Sequence, residues 1–326
     1  MNAIDETIRH PAQSAVPHVI KGEIVTGAER DYGRFATPAL DLDALVWRRD
    51  RPAPAADVPI AEILDILERL GDWLTRDPEG AVEAAMLASL GTNPLEKGVL
   101  QRSYETLGRC FDRQSLMFQI EQELGGVDVL DGWREVTTPT GRKAQIRAFP
   151  PRLIHIVAGN APGVTAMTVA RGALTKGVHL LKLPSNDLFT ASAVLRGLSA
   201  VAPGHPLARS FSAAYWRGGD REVESMLFQP LFFDKLVAWG GEATIRSAKD
   251  YIGPGFELVA FDPKTSISMI GREVHADAAT LEKVADFAAA DATVMDQQAC
   301  VSSRFQFIEG SIEQVDAYCE ALVARL

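Results

Sequence analysis

Leu153-Ile154-His155-Ile156-Val157-Ala158 runs directly into Gly159-Asn160-Ala161-Pro162-Gly163. A short apolar run that stops at a glycine-containing turn reads as a buried strand feeding a loop. The same unit recurs downstream. Apolar runs at 178–183, 211–216, 235–239 and 258–261 are separated by segments near 164–176, 188–201, 220–228 and 242–250 that carry helical patterning. Strands alternating with helices predict an α/β fold with a doubly wound, Rossmann-type parallel sheet covered on both faces. Ligands on such sheets bind beyond the carboxyl ends of the strands, so the loops after Ala158, Leu183 and Trp239 are where chemistry is expected.

Upstream the pattern changes. Arg134–Thr138 and Arg142–Phe149 alternate around Pro139-Thr140-Gly141 and read as a β-hairpin, set off from the alternating region by Pro150-Pro151. Before the hairpin the chain is helical. Ile60, Ile63, Leu64, Leu67 and Leu74 share one face, Asp77-Pro78 reads as N-cap and first position of a second helix ending near Gly91-Thr92-Asn93-Pro94, and Leu100, Tyr104, Leu107 and Phe111 mark a third. Cys110 beside that stripe reads as core. Pro52-Ala53-Pro54-Ala55-Ala56 reads as a linker after an N-terminal extension. The expected divisions are therefore an extension over 1–58, a helical region, hairpin and nucleotide-binding domain over 59–265, and the start of a second domain over 266–326.

Composition narrows the function. The net charge of −10 comes without a basic cluster, which argues against nucleic acid or an anionic membrane as partner. Cys110, Cys300 and Cys319 form no pairing framework or zinc motif, and a reducing, cytoplasmic setting fits them. The first residues lack an apolar signal core, and no stretch is apolar enough to span a membrane.

Cys300 closes the amide-rich stretch Asp296-Gln297-Gln298-Ala299-Cys300, which follows a helix that Asp277 caps and that runs toward Ala290. A lone cysteine is more often a small buried hydrophobe. Its place beyond a nucleotide-type sheet favours a nucleophile, whose thiolate forms reactive thioesters. Asn160, at a strand end, is suited to donate to an oxyanion or to cap the following helix. Lys182 and Ser185 end the second strand, where a ribose is read, and suit a 2′-phosphate; Asp187 counts against this unless it caps the next helix. Gly240 and Gly241, with Thr244 in the helix that follows, form either a pyrophosphate-facing turn or a plain strand-to-helix turn. His155 and His179 lie inside strands and read as structural.

Taken in order, "IVAGNAPGV", "LLKLPSND", "WGGEATIRSAK", "GPGFELVAFDPKTSISMIG" and "DQQACVSSR" resemble the LuxC-type long-chain acyl-CoA reductases of the aldehyde dehydrogenase superfamily, over most of residues 60–326. The resemblance implies an aldehyde dehydrogenase-like fold and NADPH-dependent reduction of a fatty acyl-CoA to aldehyde and CoA through a Cys300 thioester. The Asn160 amide and the Cys300 N–H would hold the oxyanion. An acyl-protein synthetase partner and a homo-oligomer of the full-length protein are also implied. Glu257 is the nearest match to the glutamate with which aldehyde dehydrogenases activate water, but its following residues lack the family glycines. The rival readings are a hydrolytic NAD(P)-dependent aldehyde dehydrogenase and a catalytically incomplete nucleotide-binding fragment. Only 26 residues follow Cys300, whereas the family pattern continues well beyond. The expectation is a truncated chain, inactive or aggregation-prone alone, whose strands at 266–270 and 304–308 begin a second sheet, with the part after about residue 265 least stable.

Overall fold

A computed structural model describes residues 14–326; the first thirteen residues of the expected N-terminal extension lie outside the described residues. In chain order the main elements are β1 (His18–Ile20), β2 (Glu23–Val25), α1 (Ile60–Arg76), α2 (Ala81–Ser89), α3 (Lys97–Glu105), α4 (Arg113–Leu124), β3 (Arg134–Thr137), β4 (Lys143–Ile146), β5 (Arg152–Ile156), α5 (Pro162–Leu174), β6 (Val178–Lys182), α6 (Thr190–Val201), β7 (Phe211–Ala214), α7 (Arg221–Leu227), β8 (Lys235–Trp239), α8 (Glu242–Lys249), β9 (Glu257–Phe261), β10 (Ser266–Ile270), α9 (Ala278–Thr293), β11 (Ser303–Ile308) and α10 (Ile312–Val323).

Seven strands form one sheet in the order β9-β8-β5-β6-β7-β1-β2. The five from β5 to β9 are parallel and follow the expected alternation. The chain starts at β5, builds outward through β6 and β7, then returns to the other side of β5 for β8 and β9. This reversal makes the β5–β8 boundary a topological switch point, where the connecting helices part and leave a crevice. The fold is mixed α/β, with a doubly wound parallel sheet.

β1 and β2 differ from expectation. Part of the stretch read as an extension joins the sheet: Val19 pairs antiparallel with Ala213, and β1 pairs with β2. Three-residue strands leave too short a period to read from sequence, and the partner strand lies almost 200 residues away. Within Pro52–Ala56, Ala53 and Ala55 are buried, so that stretch is packed against the domain.

The helical region packs on one face of the sheet. Ile60, Ile63, Leu64, Leu67 and Leu74 are all buried on the predicted face of α1. Leu100, Tyr104, Leu107 and Phe111 are buried too, but α3 ends at Glu105 and a 3₁₀ turn carries Leu107–Phe111. Asp77 departs from its expected role. It sits in a left-handed conformation as the C-cap of α1, and α2 starts only at Ala81, so Pro78 is not its first residue. The Asp77 carboxylate still accepts from the N–H groups of Val82 and Glu83, at 3.0 and 2.9 Å. The other face buries Trp216, Phe228, Phe233 and Phe256.

β10 and β11 pair parallel as a separate two-stranded sheet. Its inner face packs on α9 and α10 around Val274, Ala288 and Tyr318. Asp277 caps α9 by accepting from Thr280 N–H at 2.7 Å, as its sequence position predicts.

Candidate active site

The carboxyl ends of the parallel strands bring three loops together. After β5, Gly159 lies against the loop after β6 so closely that a Cβ there would stand 1.7 Å from the Asn186 side-chain oxygen, so any larger residue would displace that side chain. Asn160 does not cap α5, whose N-cap Ala161 has no side-chain bond. Its amide instead donates to the carbonyl of Gln298 at 2.6 Å, joining the first sheet loop to the cysteine loop across 138 residues. An asparagine amide carries two N–H donors, so one remains for another acceptor.

Cys300 is exposed. The segment before it is held by its own carbonyl oxygens. Ser302 Oγ donates to Val294 O at 2.8 Å, the Arg304 guanidinium to Gln297 O at 2.7 Å and Ser266 Oγ to Cys300 O at 2.7 Å. The Cys300 N–H makes no hydrogen bond among the described residues. Met295, Asp296 and Gln297 are all left-handed, with φ of 51°, 50° and 59°.

Lys182 ends β6 with its ammonium buried, 5.9 and 5.5 Å from the ring centroids of Tyr215 and Trp216. Burial lowers its pKa to about 8, against an opposing attraction from Glu224. No carboxylate pairs with it within 4 Å among the described residues. Ser185 is exposed. Asp187 turns inward, where its carboxylate accepts from the Thr190 hydroxyl at 2.6 Å and N–H at 3.3 Å. Burial raises its pKa to about 6, partly offset by those bonds. Asp187 is not the N-cap of α6, which is Phe189, but it ties down the first residue of that helix, and no carboxylate of this loop is left to face a ribose.

After β8, Gly240 and Gly241 precede α8. A Cβ on Gly240 would stand 2.8 Å from Cβ of Thr244, so the glycine lets the turn close on that side chain. Gly241 is the N-cap and supplies no side-chain bond, which leaves the first N–H groups of α8 facing out. Glu242 places a carboxylate at the same end, paired with Arg246.

Glu257 is corrected. It is the first residue of β9, paired with Lys235, the first residue of β8. Four residues of strand, about 13 Å, separate it from the carboxyl edge where the loops meet. A parallel strand presents its two ends to opposite edges of the sheet, so Glu257 cannot serve that site as acid or base.

Sequence reading missed Asn93. It sits in the stretch read as the end of α2, yet its amide donates to Gly159 O at 3.1 Å. Ser266 and Arg304 were equally silent, since their contacts are made to backbone carbonyls that no motif records.

The chain matches the family model described as acyl-CoA reductase (LuxC) over residues 55–326. It is 34% identical to a long-chain acyl-protein thioester reductase of Photorhabdus laumondii over 209 residues, 64% of this chain and 41% of that one. It is 28% identical to a protein of the same name from Vibrio harveyi over 280 residues, 82% of this chain and 56% of that one. The chain therefore spans about half the length of the curated relatives it matches. Among solved structures, an NAD-dependent benzaldehyde dehydrogenase of Corynebacterium glutamicum superposes with a TM-score of 0.71 at 16% identity, over 95% of this chain and 66% of that one.

Proposed function

The chain belongs to the acyl-CoA reductase (LuxC) family, and on that premise we propose that it carries the acyl-transfer centre of a long-chain fatty acyl reductase. The observation that carries this reading is the bond from Asn160 to Gln298 O, which brings an amide from the switch-point loop to the segment ending in an exposed Cys300. The Cys300 thiol would give its proton to solvent, and the resulting thiolate would attack the carbonyl carbon of a fatty acyl thioester. Negative charge would build on the carbonyl oxygen, facing the second Asn160 N–H and the free Cys300 N–H. Collapse would break the bond to the departing thiol, which leaves as thiolate and takes a proton from solvent, and the acyl group would stay on Cys300. The relatives named as acyl-protein thioester reductases favour a thioester substrate, carried either by CoA or by an acyl-protein synthetase. The absence of Glu257 from the site supports transfer to a thiol over hydrolysis to an acid.

A reduced nicotinamide, when bound, would supply the hydride that turns the acyl group into an aldehyde. The residues fit such a group. The buried cation of Lys182, exposed Ser185 and open N–H groups after Gly241 lie on one edge of the sheet, and the inward turn of Asp187 removes the carboxylate that would disfavour a 2′-phosphate. Lys182 would hold the ribose side, and the Gly240-Gly241 turn with Thr244 would hold the pyrophosphate. NADPH is therefore the proposed cofactor, in a cytoplasmic enzyme.

The test is acyl transfer from radiolabelled palmitoyl-CoA to the chain. Label should form on the parent and on Cys110→Ala and Cys319→Ala, and be lost on Cys300→Ala; label that persists on Cys300→Ala overturns the reading. For the cofactor, Lys182→Ala should weaken NADPH more than NADH in a fluorescence titration. Equal affinities of the parent for the two would overturn the NADPH assignment.

A further inference from the structure

The cysteine loop holds a conformation that its sequence does not favour. Left-handed backbone costs roughly 1–2 kcal/mol for each residue with a side chain and normally occurs singly. Here Met295, Asp296 and Gln297 adopt it in succession. Such a turn persists only where surrounding contacts over-determine it.

Those contacts fall on residues 93–103, the segment between α2 and α3 together with α3 itself. The Asp296 carboxylate accepts from the Glu96 N–H at 2.5 Å. Met295 packs against the large core, with its sulfur 3.7 Å from Ser103 Oγ on α3. Three residues before Glu96, Asn93 donates to Gly159 O, and its own side-chain oxygen accepts from Leu95 N–H at 3.1 Å. One short stretch of chain therefore grips the loop that carries Asn160 and, separately, the loop that carries Cys300.

We propose that Asp296 is a positioning residue for Cys300. By fastening the left-handed turn to the segment that also holds Gly159, it sets the placement of the thiol relative to the Asn160 amide. This rests on the reading of Cys300 as nucleophile. Reaction with a bound thioester depends on that placement, whereas reaction with a small alkylating reagent needs only exposure.

The test uses the 326-residue chain, its Asp296→Ala form and its Asp296→Asn form. Asparagine keeps a carbonyl acceptor and tolerates the left-handed region; alanine does neither. Acylation of Cys300 by palmitoyl-CoA at saturation should fall at least about tenfold in Asp296→Ala with the half-saturating concentration unchanged. Iodoacetamide alkylation of Cys300, referenced to Cys319, which is also exposed, should stay within about twofold of the parent. Hydrogen exchange should quicken across 294–302 and not across α9. Asp296→Asn should restore the parent values in all three. Unchanged exchange across 294–302 in Asp296→Ala overturns the proposal, as does unchanged acylation, failure of the asparagine form to restore it, or alkylation that falls in step with acylation. Should the parent itself take no acyl label on Cys300, the transfer function falls. The exchange arm then decides the role of Asp296 alone, a response supporting it and no response overturning it.

Discussion

The parallel sheet of residues 152–261 and the two-stranded sheet of residues 266–308 are built from similar apolar strands, yet they treat their apolar residues oppositely. In the large sheet, Ile154, Leu180, Leu181, Phe211 and Leu236 are fully buried between two helical layers. In the small one, Ile267, Met269, Phe305 and Phe307 form one face that is 51%, 82%, 59% and 59% exposed. The inner face carries Ser268, whose hydroxyl bonds Ser303. The contrast teaches that an apolar strand reports a capacity for burial. Whether burial is realised depends on a second layer, and only one layer packs on β10 and β11 among the described residues. Open apolar surface of this kind promotes association.

The largest expected effect separates the two sheets directly. Phe233→Ala, in the fully buried layer, should cost about 3–5 kcal/mol. Phe305→Ala on the open face should cost less than about 0.5 kcal/mol. Urea unfolding of the two variants measures both, and a large loss from Phe305→Ala would show that its face is covered in solution.

Acid should weaken the large sheet specifically. His155 and His179 are buried beneath α5, with Nε2 of one 3.1 Å from Nδ1 of the other, and His179 Nε2 lies 3.3 Å from the Thr175 hydroxyl. Burial depresses both, His179 to about 4 and His155 well below its ordinary value. The folded state thus keeps them neutral while the unfolded chain takes up protons from about pH 6.5 downward. Their contribution is whole above that pH and is lost as pH falls toward 4, on the order of 3 kcal/mol for His179. Asp187, raised to about 6, has the opposite sign and offsets part of the loss. The urea midpoint should drop between pH 7 and pH 5, and His179→Gln should shrink the drop; equal midpoints would refute the buried neutral pair.

Helix caps give the finest comparison. Asp220 caps α7 by accepting from Val223 N–H at 3.3 Å, and Ser311 forms a capping box with Gln314 on α10. Either alanine substitution should cost about 1 kcal/mol, because capping is local and indifferent to what covers a sheet. If the regions unfold separately, Asp220→Ala should move only the transition of the large sheet and Ser311→Ala only that of the small unit. Hydrogen exchange followed segment by segment reads the two apart, and a single transition moved by both would mean one cooperative unit.

Sequence alone determined the alternation of strands and helices from Leu153 onward, the buried stripe of α1, the cap at Asp277, and the strands on either side of Cys300. These rest on periodicities and caps that span a few residues, so neighbouring side chains carry the whole signal. It also placed Cys300 in a loop, because its flanking amides sit between a helix and a strand. Tertiary structure alone decided the rest. It added β1 and β2 to the sheet edge, carried Glu257 to the far edge, turned Asp187 inward, and spent the Asn160 amide on Gln298 O. It also drew Asn93 and Asp296 to one segment. Apart from the turn of Asp187 onto Thr190, each of these is a contact between residues 60 to 200 positions apart, or a choice between the two ends of a strand. No local pattern encodes such a choice, because it is settled only when strand order and the packing of layers fix which loops meet.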